Sequence, residues 1–224
     1  MAAEPFSPPG LPQRCEIRLK TLWERRANFY DLCEGSDLRR GAHKKALFRR
    51  IQGRTLFVAI GTGLDIRHLP AGPAIIAIDI SSAMIERSRK RAQGFAGDLQ
   101  LVQSDAASLC FPGESFDTVV TSCTMCSVPC PGIVFSELHR VLRSGGRLLM
   151  FEHVRSSNAV LGAVLDLMTM ATRRRGTEMN RDTITAATKA GFRILQVESI
   201  FLDIILAMEA LKVPDAGARP TRSN

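Results

Sequence analysis

Aromatic side chains are scarce: one tryptophan, one tyrosine and 11 phenylalanines amount to 6% of the 224 residues. With so few rings and no recognisable nucleic-acid module, nucleic acid is not expected as a partner. Cysteine is scarce as well. The six thiols (Cys15, Cys33, Cys110, Cys123, Cys126, Cys130) are few for this length and, without an export signal, read as reduced. No apolar run reaches about 18 residues, the length that a spanning helix needs. The first twelve residues carry early prolines and Glu4 in place of a basic-then-apolar leader, so the cytoplasm is the expected compartment.

What is present suits a globular chain. Hydrophobic residues make up 45% and charged residues 23%, values that exclude global disorder, collagen and coiled coil. The length gives room for one domain with a sizeable core plus an ordered extension. The net charge of +8 is uneven: residues 1–54 hold twelve Lys/Arg against six Asp/Glu, and the remaining 170 are nearly neutral. Arg25, Arg26, Arg39, Arg40, Lys44, Lys45, Arg49 and Arg50 occur there in pairs. That field suits peripheral contact with an anionic membrane, or is simply a solvated charged face. Trp23, Phe29 and Leu47 would then turn inward or into the headgroup layer.

Along the chain, Met1 to Pro12 reads as a mobile tail, and so does 214–224. Residues 13–52 read as a helical extension of two or three amphipathic helices, with Ile17, Leu19, Leu22 and Trp23 at mixed three-and-four spacing. From 53 to 213 short apolar runs alternate with helices, the text of a parallel sheet covered on both faces. Strands are expected at Thr55–Ile60, Ala74–Ile80, Leu99–Val102, Thr118–Thr121 and Arg147–Glu152. Helices are expected at Ser82–Ala92, Gly132–Leu142, Ala159–Ala171 and Arg181–Ala190. Phe192–Ser199 and Ile204–Leu211 close the domain as an antiparallel strand pair.

The first strand runs into Gly61-Thr62-Gly63. Glycines at such a turn let a ligand approach the backbone, and the free amides of the following helix attract anionic groups. A dinucleotide fingerprint also needs a third small residue, and Ile66 stands there, which counts against NAD or FAD. Asp79 ends the second strand, where an acid can accept both ribose hydroxyls of an adenosine. Its alternative role is a helix cap, which Ser81 or Ser82 already supplies. Asp105 follows the third strand, placed to meet an adenine amino group.

Taken in order, GTG, IDIS with Met84 close behind, SDA, FPGESFDTVV and ELHRVLRSGGRLLMFEHV resemble the class I S-adenosylmethionine-dependent methyltransferases. The resemblance runs from about Tyr30 to Lys212. More narrowly, it is to the branch of ubiquinone/menaquinone C-methyltransferases, phospholipid N-methyltransferases and thiol methyltransferases. It implies a Rossmann-like, seven-stranded, mostly parallel sheet with helices on both faces and a C-terminal antiparallel pair. It also implies S-adenosylmethionine as cofactor, with Ala59, Gly61, Thr62 and Gly63 at the methionine portion. Asp79 would hold the ribose beside Ile80 and Met84, Asp105 with Ala106 the adenine, and Thr121 would lie at the fourth strand end. Two positions depart from the family: Phe57 stands where an acid usually holds the cofactor's amino group, and Ala59 where a glycine is usual.

The acceptor is expected beyond the ends of strands four and five, at Thr121–Val128 and Phe151–Val154. Methyl transfer is in-line displacement, so positioning and exclusion of water dominate its catalysis. Glu152 and His153 either polarise or deprotonate an acceptor or bond locally to loop backbone. Tyr30 resembles an aromatic that covers the cofactor in this branch, and as an ordinary packed ring it would serve equally. Leu161–Met170 lies where relatives place a substrate lid; a core helix explains it as well. Cys123, Cys126 and Cys130 have one zinc-like spacing but no histidine at a usual distance, so no metal is expected. The expected protein is a monomeric methyltransferase of a phospholipid headgroup amine, with a small thiol, a quinone, or a non-catalytic cofactor-binding role as alternatives.

Overall fold

The computed structural model describes residues 13–31 and 40–213. The tails expected over 1–12 and 214–224 lie outside the described residues, as do Cys33 and Arg39. In chain order the elements are α1 (Gln13–Arg26), α2 (Gly41–Phe48), β1 (Thr55–Val58), β2 (Ile75–Asp79), α3 (Ser82–Ala92), β3 (Leu99–Gln103) and β4 (Phe116–Ser122). Then come α4 (Pro131–Val141), β5 (Leu142–His153), α5 (Ala159–Thr172), α6 (Thr183–Lys189), β6 (Phe192–Phe201) and β7 (Ile205–Lys212). Short 3-10 turns lie at Ile66–His68 and Arg173–Arg175.

The seven strands form one sheet in the order β3-β2-β1-β4-β5-β7-β6. The pairings from β3 through β5 are parallel; β7 enters antiparallel between β5 and β6. This is the Rossmann-like architecture that the motif order implies. All four residues of β1 are buried, which is why the strand reads as an unbroken apolar run. Its side chains alternate between two cores. Leu56 and Val58 join Ile78, Val119, Phe135, Leu148 and Met208 on one face. Phe57 joins Phe48, Ala77, Val120, Leu149 and Phe151 on the other.

Capping and charge set the joints. Ser81 begins α3 by accepting the Met84 N–H at 3.2 Å. Glu24 of α1 then occupies the same helix start, accepting the amides of Ser82 at 2.7 Å and Ala83 at 3.0 Å, groups that have no partner within the helix. Pro131 opens α4, where its missing N–H costs nothing. β5 starts earlier than its apolar text suggests: the register shifts between Phe116 and Thr118, and Leu142 already pairs with Phe116. The irregularity holds Gly145 at φ 73°, ground that suits glycine.

Several of the paired basic residues serve the fold. Lys44 is buried against Asp65 at 2.7 Å. Arg50 meets the buried Glu209 at 2.7 Å, and Arg147 meets its other oxygen. Arg26 lies 4.6 Å from the Trp23 ring centroid. The expectation that all the pairs face solvent or membrane is therefore corrected: burial of the α2 face takes Lys44 inward, and the carboxylate on β7 takes Arg50. Phe29 is exposed while Leu47 is core.

Candidate active site

The loop after β1 bends through three left-handed residues: Ala59 at φ 55°, Gly61 at φ 60° and Gly63 at φ 84°. At Gly63 a Cβ would stand 2.8 Å from Ile66 Cδ1 and 2.9 Å from Ser88 Oγ, so close packing on α3 demands glycine. At Gly61 a Cβ would meet nothing nearer than Tyr30 Cε1 at 3.9 Å, and that face of the loop opens on a cavity. Ala59 keeps the left-handed turn without being glycine, at a strain of roughly 1 to 2 kcal/mol.

The cavity encloses about 610 Å³ over the carboxyl ends of β1, β2 and β4. Asp79 and Asp105 lie on one side of its lining, with Ile80, Met84 and Ala106. Asp79 is buried, and its oxygens accept the Gly61 N–H at 2.9 Å and the Ser81 N–H at 3.0 Å. Burial pushes its carboxyl up to about 6, against the pull of those amides, and Glu24 nearby adds to the rise. Asp105 accepts the Ala107 N–H at 2.9 Å, which fixes its loop. Leu19, Trp23 and Tyr30 roof the cavity, with Trp23 edge-on to Tyr30 at 6.1 Å.

A second compartment of about 560 Å³ shares Tyr30, Ala59, Gly61, Ser122 and Cys123 with the first. It is lined in addition by Thr62, Arg40, Lys44 and Asp65. Asp79 and Asp105 therefore mark one side of the β1 loop, and Arg40 beside the Lys44–Asp65 ion pair marks the other. The loop itself is latched from the extension. Thr62 Oγ1 donates to Asp31 at 2.6 Å, Arg91 bonds Asp31 at 2.8 Å, and the same guanidinium reaches the Thr62 carbonyl at 2.6 Å. Desolvation raises the Asp31 carboxyl, but the Thr62 and Arg91 bonds outweigh it and leave a net lowering.

Three residues expected at the site stand off these cavities. Glu152 is fully buried and lines neither; it accepts the Thr124 N–H at 3.1 Å and the Met125 N–H at 3.0 Å. Burial pushes its carboxyl up to about 7, with these amides and Lys44 pulling it down. It thus holds the β4 loop, whose Ser122, Cys123, Thr124 and Ser127 do face the cavity. His153 also lines neither and is pushed down to about 4 by burial, with Arg40 and Lys44 adding to the fall. Thr121 is buried inside the sheet. Glu152 makes local backbone bonds, one of its two expected roles, and neither it nor His153 reaches the wall of either cavity.

Phe57, at the position of the family's acid, is buried with its ring edge-on to Phe48 at 5.8 Å. Cys123 lines both compartments and has its thiol pushed well up by burial. Among the described residues no three His, Cys, Asp or Glu side chains gather as metal ligands. The sequence passed over Leu19 and Trp23 as roof, and Asp31, Arg91, Arg40 and Lys44 as the framework of the second compartment. Only the amphipathic spacing of α1 hinted at an inward face.

Residues 56–150 match the family described as a methyltransferase domain. That match, the relatives below and the fold support a class I S-adenosylmethionine-dependent methyltransferase domain over this stretch. The phosphatidylethanolamine N-methyltransferase of Cereibacter sphaeroides is 39% identical over 114 residues, covering 50% of this chain and 56% of that protein. A ubiquinone/menaquinone biosynthesis C-methyltransferase of Azotobacter vinelandii is 36% identical over 125 residues, 53% of this chain and 49% of that one. The chain spans about half the length of the curated relatives it matches. The solved structure of an S-adenosylmethionine-dependent methyltransferase of Thermotoga maritima superposes with a TM-score of 0.67 at 19% identity, covering 87% of this chain and 99% of that one. That likeness is one of fold. The family match and the methyltransferase fold support S-adenosylmethionine as cofactor. The residues present fit it at the nucleoside end: a buried carboxylate at the end of β2 faces a cavity whose glycine floor leaves room for a ligand.

Proposed function

We propose that the protein is an S-adenosylmethionine-dependent methyltransferase of a lipid-like acceptor, foremost a phospholipid headgroup amine. The observation that carries the reading is the pair of compartments joined across Ala59–Gly61, with Asp79 and Asp105 on one side and Arg40 beside the Lys44–Asp65 ion pair on the other. When bound, the cofactor supplies an electrophilic methyl group on a sulfonium. Asp79 would accept the ribose hydroxyls, Asp105 and Ala106 would meet the adenine, and Arg40 or Lys44 would face the amino-acid carboxylate. Tyr30, Trp23 and Leu19 would exclude water from above. Because Phe57 leaves no acid below the loop, most of the affinity comes from the adenosine end.

Support for the acceptor comes from the named relative that methylates phosphatidylethanolamine and from a groove adjoining the cavity. The groove, about 1820 Å³, shares Leu19, Ser127 and Val128 with the cavity and is also lined by Arg18, Arg25, Arg173, Arg174, Arg181, Leu22 and Met170. Arginines beside apolar side chains suit a phosphate attached to an acyl chain. No side chain of the cavity is placed as an obvious strong base, so the amine must arrive neutral, and binding and orientation by the groove do the work. Calorimetric titration with S-adenosylhomocysteine, followed by transfer of labelled methyl to phosphatidylethanolamine vesicles, tests both halves. Cofactor binding with no labelled lipid, and with label instead on a small thiol or quinone, would move the acceptor to those classes. Binding with no transfer to any acceptor in a whole-cell extract would leave a non-catalytic role.

A further inference from the structure

Helix α5 is built the wrong way round for a soluble surface. Its buried positions are Gly162, Leu165 and Thr169. Its outward stripe carries Val160 at 75% exposure, Val164 at 46%, Leu167 at 68%, Met168 at 45% and Met170 at 74%. These positions recur at helical spacing on one side, and the residues between them on that side, Ala163 and Ala171, are exposed and apolar too. The helix's one charged residue, Asp166, is tied down by Arg155 at 2.8 Å and by Asn180 at 3.0 Å. An exposed helix normally turns its polar face to water. The stretch is therefore not the fully enclosed core helix that its text allows, and of its side chains only Met170 reaches the groove described above.

The patch has defined neighbours. At its N-terminal end Val160 and Val164 share a shallow depression with Leu202, itself 60% exposed in the β6–β7 turn beside Phe201 at 54%. At its C-terminal end come the exposed Arg173 and Arg174. Arg18 and Arg25 of α1 face them across the groove, whose lining includes a single acid, Glu178.

We propose that the outward face of α5, flanked by these arginines, docks the protein on an anionic phospholipid bilayer. An apolar helical stripe bordered by arginine has the make-up of a helix lying in the headgroup plane, where apolar side chains enter the acyl boundary and guanidinium groups meet phosphate. Charge selects the bilayer over another copy of the chain, because the flanking arginines would meet their like across a symmetric contact. Docked in this way, the groove mouth opens beside the lipid layer. Apart from Arg25, this surface lies outside the basic pairs of the extension, two of which have one member, Lys44 or Arg50, drawn onto a carboxylate of the fold.

Co-sedimentation with vesicles of phosphatidylcholine, with and without phosphatidylglycerol, tests the proposal. Wild type is expected on the phosphatidylglycerol vesicles at low salt, less so as salt rises, and not on pure phosphatidylcholine. V164S/L167S changes two outward side chains that touch neither cavity nor groove. It should lower the bound fraction about tenfold or more while S-adenosylhomocysteine affinity stays unchanged. R173Q/R174Q should weaken binding and flatten its salt dependence. Undiminished binding of V164S/L167S, or no binding of wild type, overturns the proposal. So does loss of binding in K45Q/R49Q alone, which would assign docking to the extension. A concentration-dependent dimer in sedimentation velocity that V164S/L167S abolishes, without vesicle binding, would assign the stripe to a second copy. If vesicles bind but phosphatidylethanolamine is not methylated, docking stands and the acceptor reading falls.

Discussion

In the proposed site Asp79 is the one buried carboxylate offered to the nucleoside. Asp79→Ala should weaken S-adenosylhomocysteine binding by about 1.5 to 3 kcal/mol, the range for a hydrogen bond to a charged group, as measured by titration calorimetry. Burial pushes its carboxyl up to about 6, and ribose hydroxyls are held best by the ionised form. Affinity should therefore be full above that pH and fall by up to about tenfold per unit below it. Asp79→Asn, which cannot ionise, should bind weakly with no such slope. Ala59 makes the opposite kind of statement, since its backbone stays left-handed without glycine. Ala59→Gly should relieve about 1 to 2 kcal/mol of strain and return about 0.4 to 1 kcal/mol as added unfolded-state freedom. A rise of a few degrees in Tm by calorimetry is the expected outcome; a fall would mean that the methyl group contributes packing not visible in the loop.

At the scale of elements, the site depends on how the N-terminal extension is fastened. Glu24 joins α1 to the start of α3, and Asp31 joins the extension to Thr62 and Arg91. Leu19 and Trp23 are carried over the cavity by the same helix. Glu24→Ala removes the carboxylate at a helix start, a loss of about 1 kcal/mol. Limited proteolysis should then cut more readily within residues 13–31, and S-adenosylhomocysteine affinity should fall although no cavity-lining atom is changed. Unaltered protease resistance and affinity would show that the roof is held by its apolar contacts alone.

For the whole molecule, the question is what an acid at position 57 would cost. Phe57 belongs to the core between the sheet and α2, against Phe48. Phe57→Glu would bury an unpaired carboxylate there, at a cost of several kcal/mol. Chemical denaturation should show a large loss of stability. Tighter cofactor binding by a folded, soluble variant would instead show that the acid can reach the ligand. Apolar packing at Phe57 thus helps to seat the extension on the domain.

The sequence by itself determined the order of elements and the placing of Asp79 and Asp105 beside the cavity, because both rest on local signals. Unbroken apolar runs mark strands buried on both faces, Ser81 marks the start of α3, and Asp79 and Asp105 stand directly at strand ends. Boundaries were legible to a few residues, with β5 the largest miss, since the irregular pairing at Phe116 leaves no mark in the one-dimensional pattern. Tertiary structure alone decided where each charge points. Lys44 and Arg50 read as members of solvent-facing pairs until Asp65 and Glu209, distant in the chain, supply their partners. Glu152 and His153 stand at the end of a strand that leads to the site, yet alternation and the neighbouring β4 loop turn Glu152 onto backbone amides. The direction of α5 is of the same kind. Composition shows an apolar helix, but which side meets the domain depends on contacts across the chain, and these leave its apolar stripe facing outward.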